Sequence, residues 1–357
     1  MTATVRLRRA LDKCETERAP DPRTTVFDVT PEETAGAVLL SGTVLTADLR
    51  ARAVEAVESV ADAPVAATDV TVLADEARQR TATAPVAPVR GEPNEDAEQV
   101  TQVLYGAAVE AFDADGEWRR VRTPDGYVAW VEDDALGPAV EAFDADAVVS
   151  VGAVRGEGVG DRAGGPEPVY AGTECELLGD GATGGSDAHD PGSGKSDSSS
   201  ADSDARVRVR FPTGAERTLP ADAVARTPDE PTREGVVAAA RRYLGTEYVW
   251  GGTTVEGIDC SGLTRMAYHQ NGVSLPRDAD LQRRMGEAVA RETVAPNELA
   301  PADLLFFPGH VALSLGGAEF VHAYGDADEV VVDSLDPDAE NYNAALDEDF
   351  ELATRLL

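Results

Sequence analysis

The sequence predicts an α+β protein built of several modules, with helices on a small antiparallel sheet at its C-terminal end. Three patterns in its 357 residues carry that reading. Apolar residues recur at helical spacing in only a few stretches, near residues 4–18, 47–60, 233–244 and 260–270. Short apolar and β-branched runs, broken by glycine and Asp-Gly, fill the middle of the chain. After Pro231, two helical stretches are followed by strand-like runs at 303–307, 311–315, 319–323 and 330–333.

Taken in order, residues 4–18 place Val5, Leu7, Ala10 and Leu11 on one side of a helix. Residues 38–45 read as a strand pair or one bulged strand. Residues 47–60 form a second helix, with Leu49, Ala53, Ala56, Val57 and Val60 at helical spacing, and 70–73 a closing strand. Residues 1–77 thus make a small α/β module, whose Leu-Ser-Gly-Thr-Val core resembles the BON-type fold. That resemblance implies ligand or surface binding; the alternative is a plain N-terminal cap. Residues 78–88, rich in Ala, Thr and Pro, read as a linker. Short strands between Asp-Gly and Gly turns then suggest a small barrel over 86–136. Its Gly126-Tyr127-Val-Ala-Trp130-Val131 strand resembles bacterial SH3-like domains. Residues 138–228 carry further strand-like runs and read as a second SH3-like barrel. Within it, 179–204 is Gly, Ser and Asp with almost no apolar residue, so a disordered insertion holding a solvent-exposed His189 is expected.

The chain has 66 acidic against 31 basic residues, a net charge of −35, and its only lysines are Lys13 and Lys195. Such a surface repels nucleic acid and anionic membranes, so neither is an expected partner. It fits a halophilic protein, because molar salt screens self-repulsion within about 3 Å; the alternative is a merely soluble acidic protein. No run of about 18 apolar residues exists to span a membrane. Residues 1–20 are charged with no apolar core, so no secretory signal is read there and a cytoplasmic location is expected. Three widely spaced cysteines, Cys14, Cys175 and Cys260, argue against a disulfide framework. The four histidines, His189, His269, His310 and His322, show no metal-ligand spacing, so no metal or cofactor is expected.

The chemistry-bearing residues lie after Pro231. Cys260 stands at the start of a predicted helix, where Asp259 or Ser261 can cap the chain and unpaired N–H groups favour a thiolate. Cys260 is therefore the candidate nucleophile, His310 the candidate general base and acid, and His322 the candidate orienter. The two histidines flank Gly316-Gly317. A two-residue loop there pairs His310 with Ala323 and sets the histidines on opposite faces. A bulge or three-residue loop pairs His310 with His322 on one face, as a shared site requires.

The motifs Tyr248-x-Trp-Gly-Gly, Asp259-Cys-Ser-Gly-Leu263, Leu275-Pro-Arg277, Asp303-Leu-Leu-Phe-Phe307, Gly309-His-Val311 and Phe320-Val-His-Ala323 occur in that order. Together they make residues 231–357 resemble the NlpC-type cysteine peptidase family, which has a reduced papain-like fold. The resemblance implies a cysteine-type endopeptidase with Cys260 as nucleophile, His310 as base and His322 as third member. It further implies that Tyr248, with the Cys260 backbone N–H, lies near the oxyanion site and that Asp259 and Ser261 hold the free amino end of a short peptide. With SH3-like domains in front, the chain is similar to a subgroup cleaving muropeptides after γ-linked D-glutamate. There Glu92 and Tyr127 match positions closing the amino-end subsite. The expected partner is therefore a short peptide with a free amino terminus. An amidase or acyltransferase on the same scaffold, and a non-catalytic SH3-like peptide-binding protein, are the other readings. Cys14 and Cys175 read as structural thiols, Trp250 as a core aromatic, His269 as a solvated or core-edge residue and Arg277 as a turn cap or a site residue.

Overall fold

The computed structural model describes residues 3–140, 143–179, 205–291 and 295–357. The predicted insertion lies, but for Gly179, outside the described residues, and His189 with it. The chain forms two compact units.

The first unit comprises residues 1–80, 89–98 and 108–139. Helix α1 (Ala3–Arg18) buries Leu7, Leu11 and Cys14, and helix α2 (Ala47–Glu58) buries Leu49, Ala53 and Val57. Both stripes follow the i, i+4 spacing that puts side chains on one helix face. They pack with Val38, Leu40, Val44, Val70 and Val72 of a three-stranded sheet. Its strands are Phe27–Glu33, Val38–Val44 and Val65–Val72. The first pair is antiparallel and the second parallel, with α2 as the crossover. Within residues 38–45 the chain forms one strand, Val38–Val44, with a register shift between Leu39 and Ser41, the bulged alternative of the two. The Phe27–Glu33 strand escapes notice in the sequence because it carries Pro31 and no buried side chain.

The same unit holds an antiparallel meander of Ala108–Asp115, Trp118–Arg122 and Val128–Glu132. Val109, Ala111, Trp118, Val121, Ala129 and Val131 are buried along it. The expected linker at 78–88 is a correction: Arg78–Ala82 and Val86–Arg90 are strands. Thr81, Ala82, Ala87 and Val89 are buried there. Small residues can fill a tight barrel interior, and a composition rich in Ala and Thr hides that role.

The second unit comprises 81–88, 99–107 and 140–357. A six-stranded sheet lies between 147 and 226. It closes over Val149, Val169, Cys175, Val209, Phe211 and Leu219, all fully buried. Beyond it, a second six-stranded sheet runs in the order Glu287–Ala290, Leu352–Arg355, Leu304–Phe307, His310–Gly316, Glu319–Tyr324, Glu329–Ser334. Every neighbouring pair in it is antiparallel. The edge strand at 287–290 and its neighbour at 352–355 carry charges and few large apolar residues, and are not legible as strands in the sequence.

Helices α3 (Arg233–Arg241) and α4 (Cys260–His269) cover one face of this sheet, and the short helix α5 (Ala279–Gln282) follows them in the chain. Val236, Ala240, Leu263, Met266 and Ala267 meet Leu304, Phe306, Val311, Leu313, Val321 and Ala323, all buried. Each large side chain so buried stabilises the fold by roughly 1.5–3 kcal/mol. The opposite face is closed by Leu305, Phe307, Ala312 and Phe320 against Leu346 of helix α6 (Ala344–Asp349) and Phe350. Asp303, wholly buried, ties the strands to both chain segments through Arg233 (3.1 Å) and a two-point pair with Arg355 (3.0 and 2.7 Å).

Candidate active site

Asp259 is the residue that starts α4. Its backbone is extended (φ −101°, ψ 177°), and its Oδ1 accepts from the Gly262 N–H at 2.7 Å. Cys260 is thereby the first helical residue, with its thiol turned into the interface between α4 and the His310 strand. The Val311 N–H, one residue beyond His310, and the Ser261 N–H both point at the sulfur.

His310 and His322 come together on the sheet, through neither register read from the sequence. The strands pair Leu313 with Val321 and Ser314 with Phe320, then shift at a bulge so that Gly316 pairs with Glu319. Continued outward, that register sets His310 across from Tyr324 and leaves His322 two residues back on the same face. An even offset preserves the face, and that parity is what the site needs. Gly316 and Gly317 make the turn at φ 98° and 66°, values a side chain with a Cβ rarely adopts. His310 Nε2 lies 2.8 Å from His322 Nδ1. The wholly buried His322 ring is held between Phe320 (centroids 4.9 Å apart) and Tyr324 (4.8 Å, stacked).

The chain of contacts continues to residues the sequence reading did not single out. His322 Nε2 lies 3.3 Å from Asp333 Oδ2, and Asn343 donates from Nδ2 to that oxygen at 2.6 Å. Asn343 is fixed in turn as the cap of α6, its Oδ1 accepting from the Leu346 N–H at 3.1 Å. The available signal was a lone acid closing the Val330-Val-Val run, on the strand beside His322.

The electrostatics overturn the expected thiolate. Burial pushes the Cys260 thiol up to about 11, and the Asp259 charge adds to the rise; the Val311 and Ser261 N–H groups and Arg277 only partly oppose them. Burial, with the neighbouring His322, brings His310 down to about 3. Desolvation of the sulfur outweighs the helix N-terminus here. The resting pair is therefore a neutral thiol and a neutral imidazole. Labelling of Cys260 by iodoacetamide should accordingly climb toward pH values near 11. A plateau reached by about pH 6 would instead reveal a preformed thiolate–imidazolium pair.

Tyr248, half-buried, stands close enough to Cys260 to respond to its ionisation. Burial first, then Cys260 and Asp259, push the phenol up to about 12, so it keeps its proton as a hydrogen-bond donor. Asp259 and Ser261 are held by Arg277, which is only 1% exposed. Its guanidinium donates to Asp259 Oδ1 (2.9 Å) and Oδ2 (2.6 Å), to Ser261 Oγ (2.8 Å) and to Thr101 Oγ1 (3.1 Å). Asp259 Oδ2 also accepts from the Gly251 N–H at 2.7 Å. Arg277 is thus a buried ion-pair partner of Asp259, and its Nη2 also donates to the Gly252 carbonyl at 3.4 Å. Thr101 belongs to the strand Gln99–Leu104, whose Gln102 accepts from the Thr253 N–H (2.8 Å) and hydroxyl (3.1 Å).

Trp250 corrects another expectation: it is 58% exposed, while its carbonyl accepts from Gln99 Nε2 at 3.1 Å. His269 sits at the core edge, with Nε2 2.9 Å from the Gly172 carbonyl. Cys14 and Cys175 are buried and unpaired with sulfur, and burial pushes Cys175 up to about 12. Glu92 is exposed and Tyr127 buried, both within the first unit. Among the described residues no cluster of His, Cys, Asp and Glu is arranged to hold a metal ion, and no helix is long and apolar enough to cross a membrane.

Comparison with known proteins bears on this site. Residues 245–344 match the model of the NlpC/P60 family, and residues 89–136 that of the bacterial dipeptidyl-peptidase Sh3 domain. Dipeptidyl-peptidase 6 of Lysinibacillus sphaericus is 49% identical over 104 residues, covering 29% of this chain and 37% of that protein. The gamma-D-glutamyl-L-lysine dipeptidyl-peptidase of Bacillus cereus is 34% identical over 101 residues, 26% of this chain and 29% of that one. The chain thus spans about a third of the length of these two relatives. The crystal structure of an NlpC/P60 family protein from Bacillus cereus has a TM-score of 0.58 at 20% identity, over 78% of this chain and 99% of that one, a likeness of fold. The buried cysteine opening a helix, the paired histidines on the sheet and the two matched models lead to one conclusion: this chain carries a domain of the NlpC/P60 family, a cysteine-peptidase family, preceded by a bacterial SH3 domain.

Proposed function

We propose that the chain is a cysteine peptidase that hydrolyses short muropeptide-like peptides at the bond between γ-linked D-glutamate and a diamino acid. The observation that carries the reading is the hydrogen-bonded line His310–His322–Asp333 beside a buried thiol at the first position of α4. In this reading the Cys260 sulfur attacks the amide carbonyl carbon as its proton passes to His310. The Ser261 and Val311 N–H groups and the Tyr248 hydroxyl are the donors at hand for developing negative charge. His310 then gives the proton to the leaving amine, the C–N bond breaks and a thioester remains. Water, losing a proton to His310, hydrolyses it and restores the thiol. Because the resting thiol is neutral, the nucleophile forms only as the proton moves.

The substrate class rests on relatives named as dipeptidyl-peptidases, one acting on γ-D-glutamyl-L-lysine. A requirement for a free amino terminus, with Asp259 and Ser261 at its subsite, belongs to the same proposal. Of the two, Asp259 is the weaker ligand, since both its oxygens already accept from Arg277 and backbone N–H groups. Three buried thiols with no disulfide fit a reducing cytoplasm, and the charge of −35 fits one rich in salt. The test is release of lysine from L-alanyl-γ-D-glutamyl-L-lysine by the full chain in molar potassium chloride, with the N-acetylated peptide alongside. Lysine should appear from the free peptide alone. No release from either peptide overturns the peptidase reading, and equal release from both removes the amino-end requirement.

A further inference from the structure

We propose that Asp333 sets the tautomers of both histidines, acting through His322, and so makes Nδ1 of His310 the basic atom of the site. The inference rests on the peptidase reading for its effect on turnover, but not for its effect on the protons.

An ionised carboxylate only accepts hydrogen bonds, and a neutral imidazole carries one N–H and one bare nitrogen. Burial works against ionisation of Asp333, but His322 and Asn343 together outweigh it and hold its carboxyl below the ordinary value. Its Oδ2 faces His322 Nε2 at 3.3 Å, so that nitrogen carries the proton. Nδ1 of His322 is then bare. It lies 2.8 Å from His310 Nε2, which must be the donor between them. The remaining nitrogen of His310, Nδ1, is left with its lone pair free to take a proton from a thiol. Reversing any one proton along this line would put hydrogen on Nδ1 and remove the base.

The arrangement is built into the sheet. Phe320 pairs with Asp333 and His322 with Val331, so Asp333 is the same-face diagonal neighbour of His322. Phe320 and Tyr324 hold the ring between them, which fixes its orientation and leaves only the proton to be decided. Asn343, locked by the Leu346 N–H, aims its amide N–H at the carboxylate. An acceptor is therefore required at that point.

This last contact separates two substitutions. In Asp333→Asn, the Asn343 donor selects the amide oxygen for the position facing His322, so the tautomers should persist. In Asp333→Val, a residue suited to this valine-rich strand, the acceptor is gone and the buried His322 N–H at Nε2 has no partner. The swapped tautomers should then become populated.

The experiment is nitrogen-15 NMR of histidine-labelled full chain, in which four histidines make assignment tractable. In the unsubstituted protein both His310 and His322 should show hydrogen on Nε2. Asp333→Asn should keep that pattern, and Asp333→Val should move hydrogen onto Nδ1 of His310. On peptide substrate, Asp333→Val should lower kcat on the order of 100-fold, with KM little changed. A proton on Nδ1 of His322 in the unsubstituted protein, a doubly protonated His322, or unchanged tautomers in folded Asp333→Val would each overturn the inference. Tautomers as stated, with no peptide cleaved, would sustain it and count against the peptidase reading alone.

Discussion

Cys260→Ala is expected to cut turnover on the order of 10⁶-fold and leave the protein folded. No other group can form the thioester: Cys14 and Cys175 are buried in other cores, Cys175 wholly so. The loss should be near complete because attack by sulfur and proton transfer to His310 are one event; with the sulfur gone, the imidazole has nothing to activate but water. Stability should change little. The deletion removes one sulfur atom's packing, about 1 kcal/mol, and alanine is well suited to a helix. Peptide release by the full chain, read beside its circular dichroism, checks both halves. Turnover within tenfold of the unsubstituted protein, in folded Cys260→Ala, would remove the thiol from the mechanism.

Arg277→Met should be the most destabilising single change near the site, by about 3–5 kcal/mol, because it strips the partner from a buried carboxylate. Arg277 and Asp259 are 1% and 4% exposed, so water cannot replace what is lost. The same guanidinium joins Ser261, on α4, to Thr101, on the Gln99–Leu104 strand. Arg277→Lys should restore little, because an ammonium cannot form the two-point contact with Asp259. Adding Asp259→Asn to Arg277→Met should recover part of the stability by removing the stranded charge. Chemical denaturation at fixed salt measures all four proteins. A loss for Arg277→Met under about 1 kcal/mol would mean that the pair behaves as a solvated surface bridge.

What the sequence by itself determined are the local features. Asp259-Cys-Ser-Gly-Leu263 specifies a capped helix with cysteine at its first turn, because capping depends on residues within three positions. The apolar runs at 303–307, 311–315 and 319–323 specify buried strands, because alternation and hydrophobicity are readable over five residues. The family motifs rest on the same short windows. What the tertiary structure alone decided involves partners far apart in the chain. The histidines share a face through a bulge at Ser314 and Gly316, a register the turn residues left open. Asp333 and Asn343 reach His322 through the next strand and the cap of α6. Arg277 finds Asp259 across 18 positions and Thr101 across 176. The protonation of the site belongs here too. The helix start, readable from sequence, favours a thiolate, but the depth of burial does not, and burial depends on every element packed around the sulfur. Local propensities are encoded residue by residue, whereas desolvation and hydrogen-bond partnership arise only once the chain has closed on itself.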